Sequence, residues 1–261
     1  MAKVIKRSAI KIWLDVVFAI YLREIKSTFN DKFGISWALI SPMIMITAMV
    51  LIRNPFDSGN THSIPTIFFV VYGVILVQFF LGTLEKTATS IQKNKPLYAF
   101  RQVQPIGSIV AISGFELLNK IALVLLLFLL AYLFKLEVSI SDPLSLLAIL
   151  VKVWLLALSL GMLFSLSTCF VPEISKVKSI LTRPMFFISG IFFSLQDIPK
   201  EYWHYLDWNP LLHAVELARY YAYPSYGNTG VSDFYLDMAT LSLLTLALAC
   251  YQVSWKQAIS R

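Results

Sequence analysis

The feature that most limits this chain is a series of long apolar runs separated by short polar segments. They cover approximately residues 35–52, 64–84, 106–134, 144–170, 179–195 and 236–255. A helix that crosses a bilayer needs roughly 20 mostly apolar residues, because the hydrocarbon core is about 30 Å thick. Only helices and closed barrels satisfy their backbone in lipid, and barrels show alternation over about ten residues instead of unbroken runs. The expectation is an all-α integral membrane protein with six transmembrane helices. Composition agrees: 57% of the 261 residues are hydrophobic and 14% are charged, whereas a soluble domain is about 25% charged. No internal repeat or linker divides residues 1–261, so a single membrane domain is expected.

The net charge of +7 is first a matter of topology. Lys3, Lys6, Arg7, Lys11, Arg23, Lys26 and Lys32 precede the first run. Lys86, Lys93, Lys95 and Arg101 lie between the second and third, and Lys176 and Lys178 between the fourth and fifth. Lys256 and Arg261 follow the sixth. The alternate segments are poorer in cations, and the last of them carries Asp197, Glu201, Asp207, Glu216 and Asp233 against Lys200 and Arg219. Cations gather on the cytoplasmic side, so both termini are expected there. The charge is not read as a nucleic-acid surface.

Residues Val4 to Thr28 read as an amphipathic helix in the membrane interface. Ile5, Ile12, Trp13, Val16, Val17 and Ile20 recur at helical spacing, and Arg23 and Lys26 suit an anionic leaflet. The same charges exclude an apolar signal core at this end. After the second run, Glu85 to Gln92 carries a short helical signal that stops before Pro96.

The densest information lies between Leu181 and Arg219. An apolar helix carries Arg183-Pro184, meets a small-residue break at Ser189-Gly190, and leaves the apolar region at Gln196-Asp197. An aromatic, acidic segment follows, with Trp203 and Trp208, and Asn209-Pro210 starts a second apolar helix. Its length and helix start predict re-entrant helices that close one mouth of a pathway, a setting in which irregular backbone is tolerated at membrane depth. For most of these aromatics the interfacial belt is the favoured account. Charges inside apolar runs are costly, about 2.5–3.5 kcal/mol each on insertion scales, and usually face a bundle interior. Lys120, Lys152 and Arg183 are therefore candidates for lining a path, with Phe192, Phe193, Trp203, Trp208 and Arg219 beside them. Two other roles stay open: Lys120 has Glu116 one turn back, and Lys152 and Arg183 have stems long enough to snorkel.

The chain has no GxxxxGK[ST] motif, no zinc-spaced His/Cys cluster and no GxSxG. Cys169 and Cys250 lack metal spacing. No catalytic centre, metal site or resident cofactor is expected, and uphill movement requires energy from another subunit.

FGISWALISP (Phe33 to Pro42), preceded by Leu22-Arg23-Glu24, resembles the entry to the first span of ABC-2 type exporter permeases. RPMFFISGIFFSLQDIP followed by WNPLLHAVELAR is similar to the end of the fifth span and the helices after it, above all in the transmembrane subunits of capsular polysaccharide exporters. The likeness extends over essentially the full chain. One departure is Pro172-Glu173-Ile174-Ser175-Lys176, where many relatives of the O-antigen branch carry an Arg-Asp pair.

The resemblance implies a homodimer in the bacterial inner membrane, docked on two copies of a separate ATPase that carries ATP and Mg2+. It implies export of a lipid-linked, often acidic polysaccharide, and periplasmic and outer-membrane partners that continue the route. It places a coupling element at Glu85, Lys86, Gln92, Lys93 and Lys95; the interfacial helix with Trp13, Arg23 and Lys26 is expected beside a lateral gate. An exporter of lipid-linked O-antigen or of small molecules is the alternative within the superfamily. A membrane-embedded glycosyl or acyl transferase is the alternative outside it, with Asp197, Glu201, His204 and Asp207 as its polar residues.

Overall fold

The structure is a computed structural model that describes residues 8–30, 32–57, 59–100 and 102–260. Lys3, Lys6, Arg7, Arg101, Arg261 and the expected helix start at Val4 lie outside the described residues. The described chain runs α1 (Ala9–Asn30), α2 (Lys32–Asp57), a two-stranded hairpin β1 (Asn60–Thr61) and β2 (Ile64–Pro65), then α3 (Thr66–Ala88) and α4 (Ser90–Lys93). Next come α5 (Pro105–Leu133), α6 (Pro143–Phe170), α7 (Ile174–Ile188), α8 (Pro210–Ala222) and α9 (Asp233–Ser260). Among the described residues, α3, α5, α6 and α9 are long and apolar enough to cross a membrane, and α2 contains a shorter apolar stretch, Ile40–Arg53. The chain is an integral membrane protein of helices.

The centre of the bundle is α3. Phe69, Val74, Val77 and Phe80 are buried on it and pack with Ile149, Val153 and Leu156 of α6 and with Ala214, Val215 and Ala218 of α8. A second apolar cluster at the opposite end joins Ile91 and Tyr98 to Ile109, Leu158 and Met162, and to Ala247 and Tyr251. Close approach of α3 and α6 depends on Gly161. A Cβ there would stand 1.7 Å from Thr87 Oγ1 and 2.7 Å from its Cβ, far inside van der Waals contact.

Two boundaries differ from those expected. The fifth apolar run is helical only to Ile188; residues to Leu195 do not extend α7. The chain turns at Gly190, whose φ of +76° is open to glycine and strained for other residues. A 15-residue helix is about 22 Å long and falls short of the hydrocarbon core. The second difference concerns Glu85 to Gln92. Glu85 and Lys86 belong to the last turn and a half of α3, and the chain breaks at Thr89 before α4 begins at Ser90. The hydroxyl of Thr89 turns back onto the carbonyls of Glu85 and Lys86, a local alternative to helical continuation.

Candidate translocation and coupling elements

At the end of the bundle that carries the β hairpin, the broken segment after α7 runs buried through the protein: Ser189, Ile191, Ser194 and Leu195 have almost no exposed surface. Backbone carbonyls released from a helix in such a place need donors. Three side chains from other elements supply them. Asn209 Nδ2 donates to Ile188 O (3.2 Å), Arg219 Nη2 to Gly190 O (2.7 Å), and Arg53 Nη1 to Phe192 O (2.7 Å).

Arg219 is the hub of this end. Its guanidinium is fully buried and donates to Phe69 O from Nε and Nη2 (3.2 and 3.1 Å), and from Nη1 to Glu216 Oε1 (2.9 Å) and Phe193 O (3.5 Å). It lies over the Phe69 ring, 3.4 Å from the centroid, and Arg53 lies 4.2 Å from the same centroid. Glu216 keeps its other oxygen occupied by Tyr226 OH (2.8 Å) and Ser194 Oγ (3.2 Å). The local sequence explains the placement. Asn209 caps α8 by accepting from Leu211 N, Pro210 stands at the first turn, and Glu216 and Arg219 follow on one face three residues apart. Buried charge is tolerated because each group is paired and hydrogen-bonded. Nearby, Asp197 accepts from Ser194 N in a capping box, pairs with His62 (2.6 Å) and lies 3.7 Å from Arg53.

The opposite end is built around α4. Ile91 N donates to Ser165 Oγ (3.2 Å) and Gln92 Nε2 to Thr168 O (3.3 Å), which fixes α4 to α6. Buried Asn94 donates to Ser90 O (2.8 Å) and accepts from Arg23 of α1. Glu24 accepts from Lys93 (2.8 Å) and Arg23 (3.0 Å). Burial pushes the Glu24 carboxyl up, but the hydrogen bonds and charges of Lys93 and Arg23 outweigh it and hold the group below the usual carboxylate range. Tyr98 bonds Ser108 (2.7 Å), and Ile106 N donates to Tyr251 OH (3.2 Å). Gln92, Lys93, Lys95, Pro96 and Phe100 are left exposed on this frame. The result is a short cationic and apolar surface whose backbone is tied to α6 and whose side chains reach α1 and α5.

Comparison with known proteins decides the family. The description "ABC-2 type transporter" matches residues 15–223. This chain belongs to the ABC-2 type transporter family. Among its ABC-2 relatives, the polysialic acid transport protein KpsM of Escherichia coli is 34% identical over 94% of this chain and 96% of its own length. The capsule polysaccharide export inner-membrane proteins CtrC of Neisseria meningitidis and BexB of Haemophilus influenzae are similar at lower identity. CtrC is 26% identical over 90% of this chain and 89% of its own length. BexB is 23% identical over 89% and 88%.

In this ABC-2 chain the expected path residues are dispersed over several settings. Arg183 lines an open cleft of about 510 Å3 between α3 and α7, with Leu81, Glu85, Thr182, Phe186 and Phe187. Phe192 stacks on Phe187 at 5.6 Å and extends the aromatic wall. Phe193 and Trp203 are half-buried; Trp203 donates to Ile198 O (2.8 Å) and packs where a Cβ on Gly230 would stand. Trp208 is exposed, with its indole N–H on Tyr205 O (2.7 Å). Lys120 is half-buried on α5, one turn from a Glu116 that already accepts from Lys86 (2.5 Å). Lys152 is neutralised by Asp233 and Asp237 of α9, both at 2.8 Å. Arg219 is a correction. A side chain with no exposed surface and all three nitrogens engaged clamps the fold and does not face a passing polymer.

The expected coupling residues are brought together at the α4 end, but in two places. Gln92, Lys93 and Lys95 lie on the α4 surface, whereas Glu85 pairs with Lys178 of α7 (2.5 Å) and Lys86 with Glu116 of α5. Of the gate residues, Trp13 packs toward Gly107 of α5 beside Val17, Arg23 joins the Glu24 cluster, and Lys26 is exposed. The other side of α1 exposes Ile10, Leu14, Phe18 and Leu22, an apolar stripe repeating every four residues. Sequence reasoning missed Arg53, Phe69, Asn94 and Ser165, and read Glu24 only as part of a motif. The spacing of Glu216 and Arg219 in an otherwise apolar helix was the visible trace of the hub.

Proposed function

We propose that this chain is the transmembrane permease subunit of an ATP-driven exporter that moves lipid-linked capsular polysaccharide across the bacterial inner membrane. The observation that carries the reading is the match, over nearly the whole of both chains, to proteins named for polysialic acid transport and capsule polysaccharide export. In this reading the chain crosses the membrane six times with both termini cytoplasmic. The span of α2 and the pair of α7 with its broken continuation complete the four longer helices. α8 is re-entrant at the periplasmic side, and α1 lies in the inner leaflet with Ile10, Leu14, Phe18 and Leu22 in the acyl region. The active unit is a homodimer bound to two ATPase subunits, which carry ATP and Mg2+; periplasmic and outer-membrane export proteins receive the polymer.

The ATPase pair grips the exposed α4 surface of Gln92, Lys93, Lys95 and Phe100. Because that surface is tied to α1, α5 and α6, its displacement is transmitted as a movement of helices. The polymer passes the α3–α7 cleft, where the Arg183 guanidinium attracts acidic sugars and Phe186, Phe187 and Phe192 offer flat apolar faces.

The test is deletion of the gene followed by cell extraction. Polymer accumulating in the cytoplasm supports export, and absence of polymer points to an enzyme of synthesis. In the deletion strain, Arg183→Ala is expected to restore membrane protein at wild-type level with reduced surface polymer; full surface polymer would sink the path assignment. Exterior labelling of Lys93 or Lys95 in whole cells would overturn the orientation.

A further inference from the structure

At the hairpin end, α3, α5 and α6 enclose a groove of about 320 Å3 that has no part in the export path described above. Its wall is formed by Tyr72 and Ile75 of α3, Leu127 and Ala131 of α5, and Leu146 and Leu150 of α6. The α5–α6 loop and Ala218 of α8 close the top. The rim is continuous with the lipid-facing surface: Phe128 and Leu147 line the groove and are exposed, and Leu125, Leu129 and Leu133 are exposed beside them on α5. In a bilayer this surface meets acyl chains. An apolar cavity does not hold water, and left empty it forfeits dispersion contacts along its lining. Its almost wholly apolar wall offers a sugar chain little to hydrogen-bond, so the polymer is not the occupant.

The mouth carries the complementary charge. Lys135 follows α5 in a left-handed turn (φ +54°), with its N–H on Tyr132 O (3.1 Å). Lys135 and Tyr132 are both exposed, the combination that anchors at lipid headgroups. The same loop carries two carboxylates, Glu137 two residues on and Asp142, which is engaged as the cap of α6 by Ser145. We propose that the groove binds one acyl chain of a membrane phospholipid, with Lys135 receiving its phosphate. The site bears on the hub behind it. Phe68 forms part of the wall and lies 6.2 Å from the Tyr223 ring, whose hydroxyl accepts from Ser139 N (3.4 Å). The next residue, Phe69, holds Arg219. A bound chain therefore braces the face of α3 opposite the buried guanidinium.

The experiment uses the full chain in nanodiscs of phosphatidylethanolamine and phosphatidylglycerol, doped with a phospholipid bearing a diazirine in its acyl chain. Crosslinks are mapped by mass spectrometry. Labelling is expected to concentrate on Leu127, Ala131 and Leu150 above the outward-facing Leu125 and Val253. Ala131→Phe, which fills the groove, should abolish labelling at Leu127 while leaving Val253 labelled. Equal yields at groove and outward positions in the wild-type chain overturn the proposal, and that comparison stands even if Ala131→Phe does not fold. Crosslinks from the groove to a second copy of the chain also overturn it. Lys135→Glu should lower groove labelling; unchanged labelling removes the headgroup contact from the proposal.

Discussion

The two ends of the bundle are held by opposite means. At the hairpin end, Arg219, Glu216, Ser194 and Asn209 are buried and saturated with partners from α3, α8 and the broken segment. At the α4 end the contacts are also ionic, but Lys93 and Arg23 keep roughly half of their side-chain surface in solvent (56% and 43%). Breaking a dry pair strands a charge in low dielectric, whereas breaking a wet one exchanges a protein partner for water. The difference teaches which end is a fixed anchor and which is a joint that opens without loss of the fold.

The sharpest way to break this contrast is Arg219→Ala. It leaves Glu216 without its cation and the carbonyls of Phe69 and Gly190 without this donor, a loss of about 3–5 kcal/mol for a buried pair. Accumulation of folded, monodisperse protein in detergent should collapse. Arg219→Lys should not restore it, because one compact ammonium cannot span the separated carbonyls of Phe69, Gly190 and Phe193 and the Glu216 carboxylate that the guanidinium fork serves from three nitrogens. Wild-type yield for Arg219→Ala would remove the anchor.

A smaller effect is expected toward the α4 end, where α6 crosses the last turn of α3. Gly161→Ala forces a methyl into Thr87, and overpacking of this kind costs about 1–3 kcal/mol. Thermal unfolding should occur at lower temperature, and the double variant with Thr87→Gly should recover more of the loss than one with Thr87→Ser. The Thr87 Cβ, retained in Ser, is itself only 2.7 Å away.

The smallest stability change belongs to the joint. Glu24→Gln should lower the unfolding midpoint less than Arg219→Ala does, because the carboxylate is buried but both of its cations keep much of their surface in water. It should instead increase hydrogen exchange in α1 and reduce the salt dependence of that exchange. The pH response follows from the carboxyl's lowered pKa. A depressed carboxylate contributes its full stabilisation above the ordinary range and loses it as pH falls through the folded-state value. α1 should therefore loosen in wild type only below the usual carboxylate range, and Glu24→Gln should abolish that transition. An equal loss of global stability for Glu24→Gln and Arg219→Ala would erase the distinction between anchor and joint.

The helices were legible because lipid punishes exposed backbone, so hydropathy alone set α3, α5, α6 and α9 near their observed limits. The start of α8 was legible from Asn209-Pro210, which names its own cap and first turn. The end of α7 was not. Residues 191–195 are as apolar as a helix, and what stops the helix is a set of donors from distant positions 53, 209 and 219. Arg219 was read as facing a path for the same reason. Sequence shows a charge among apolar residues but not whether carbonyls of another element surround it. Lys152 shows the same limit, since its partners Asp233 and Asp237 lie some 80 residues away.

The ladder of side-chain donors on the broken segment also sets where this chain can be recombined with its relatives. Arg53, Arg219 and Asn209 each meet a carbonyl at a fixed count from Ile188. Adding or removing one residue between Ser189 and Phe193 would turn every later carbonyl away from its donor. The stretch around Tyr202 to Leu206 is largely exposed and tolerates a seam. Exchanges between relatives should be confined to that stretch, with α2, the residues from α7 through Leu195 and α8 all inherited from one parent.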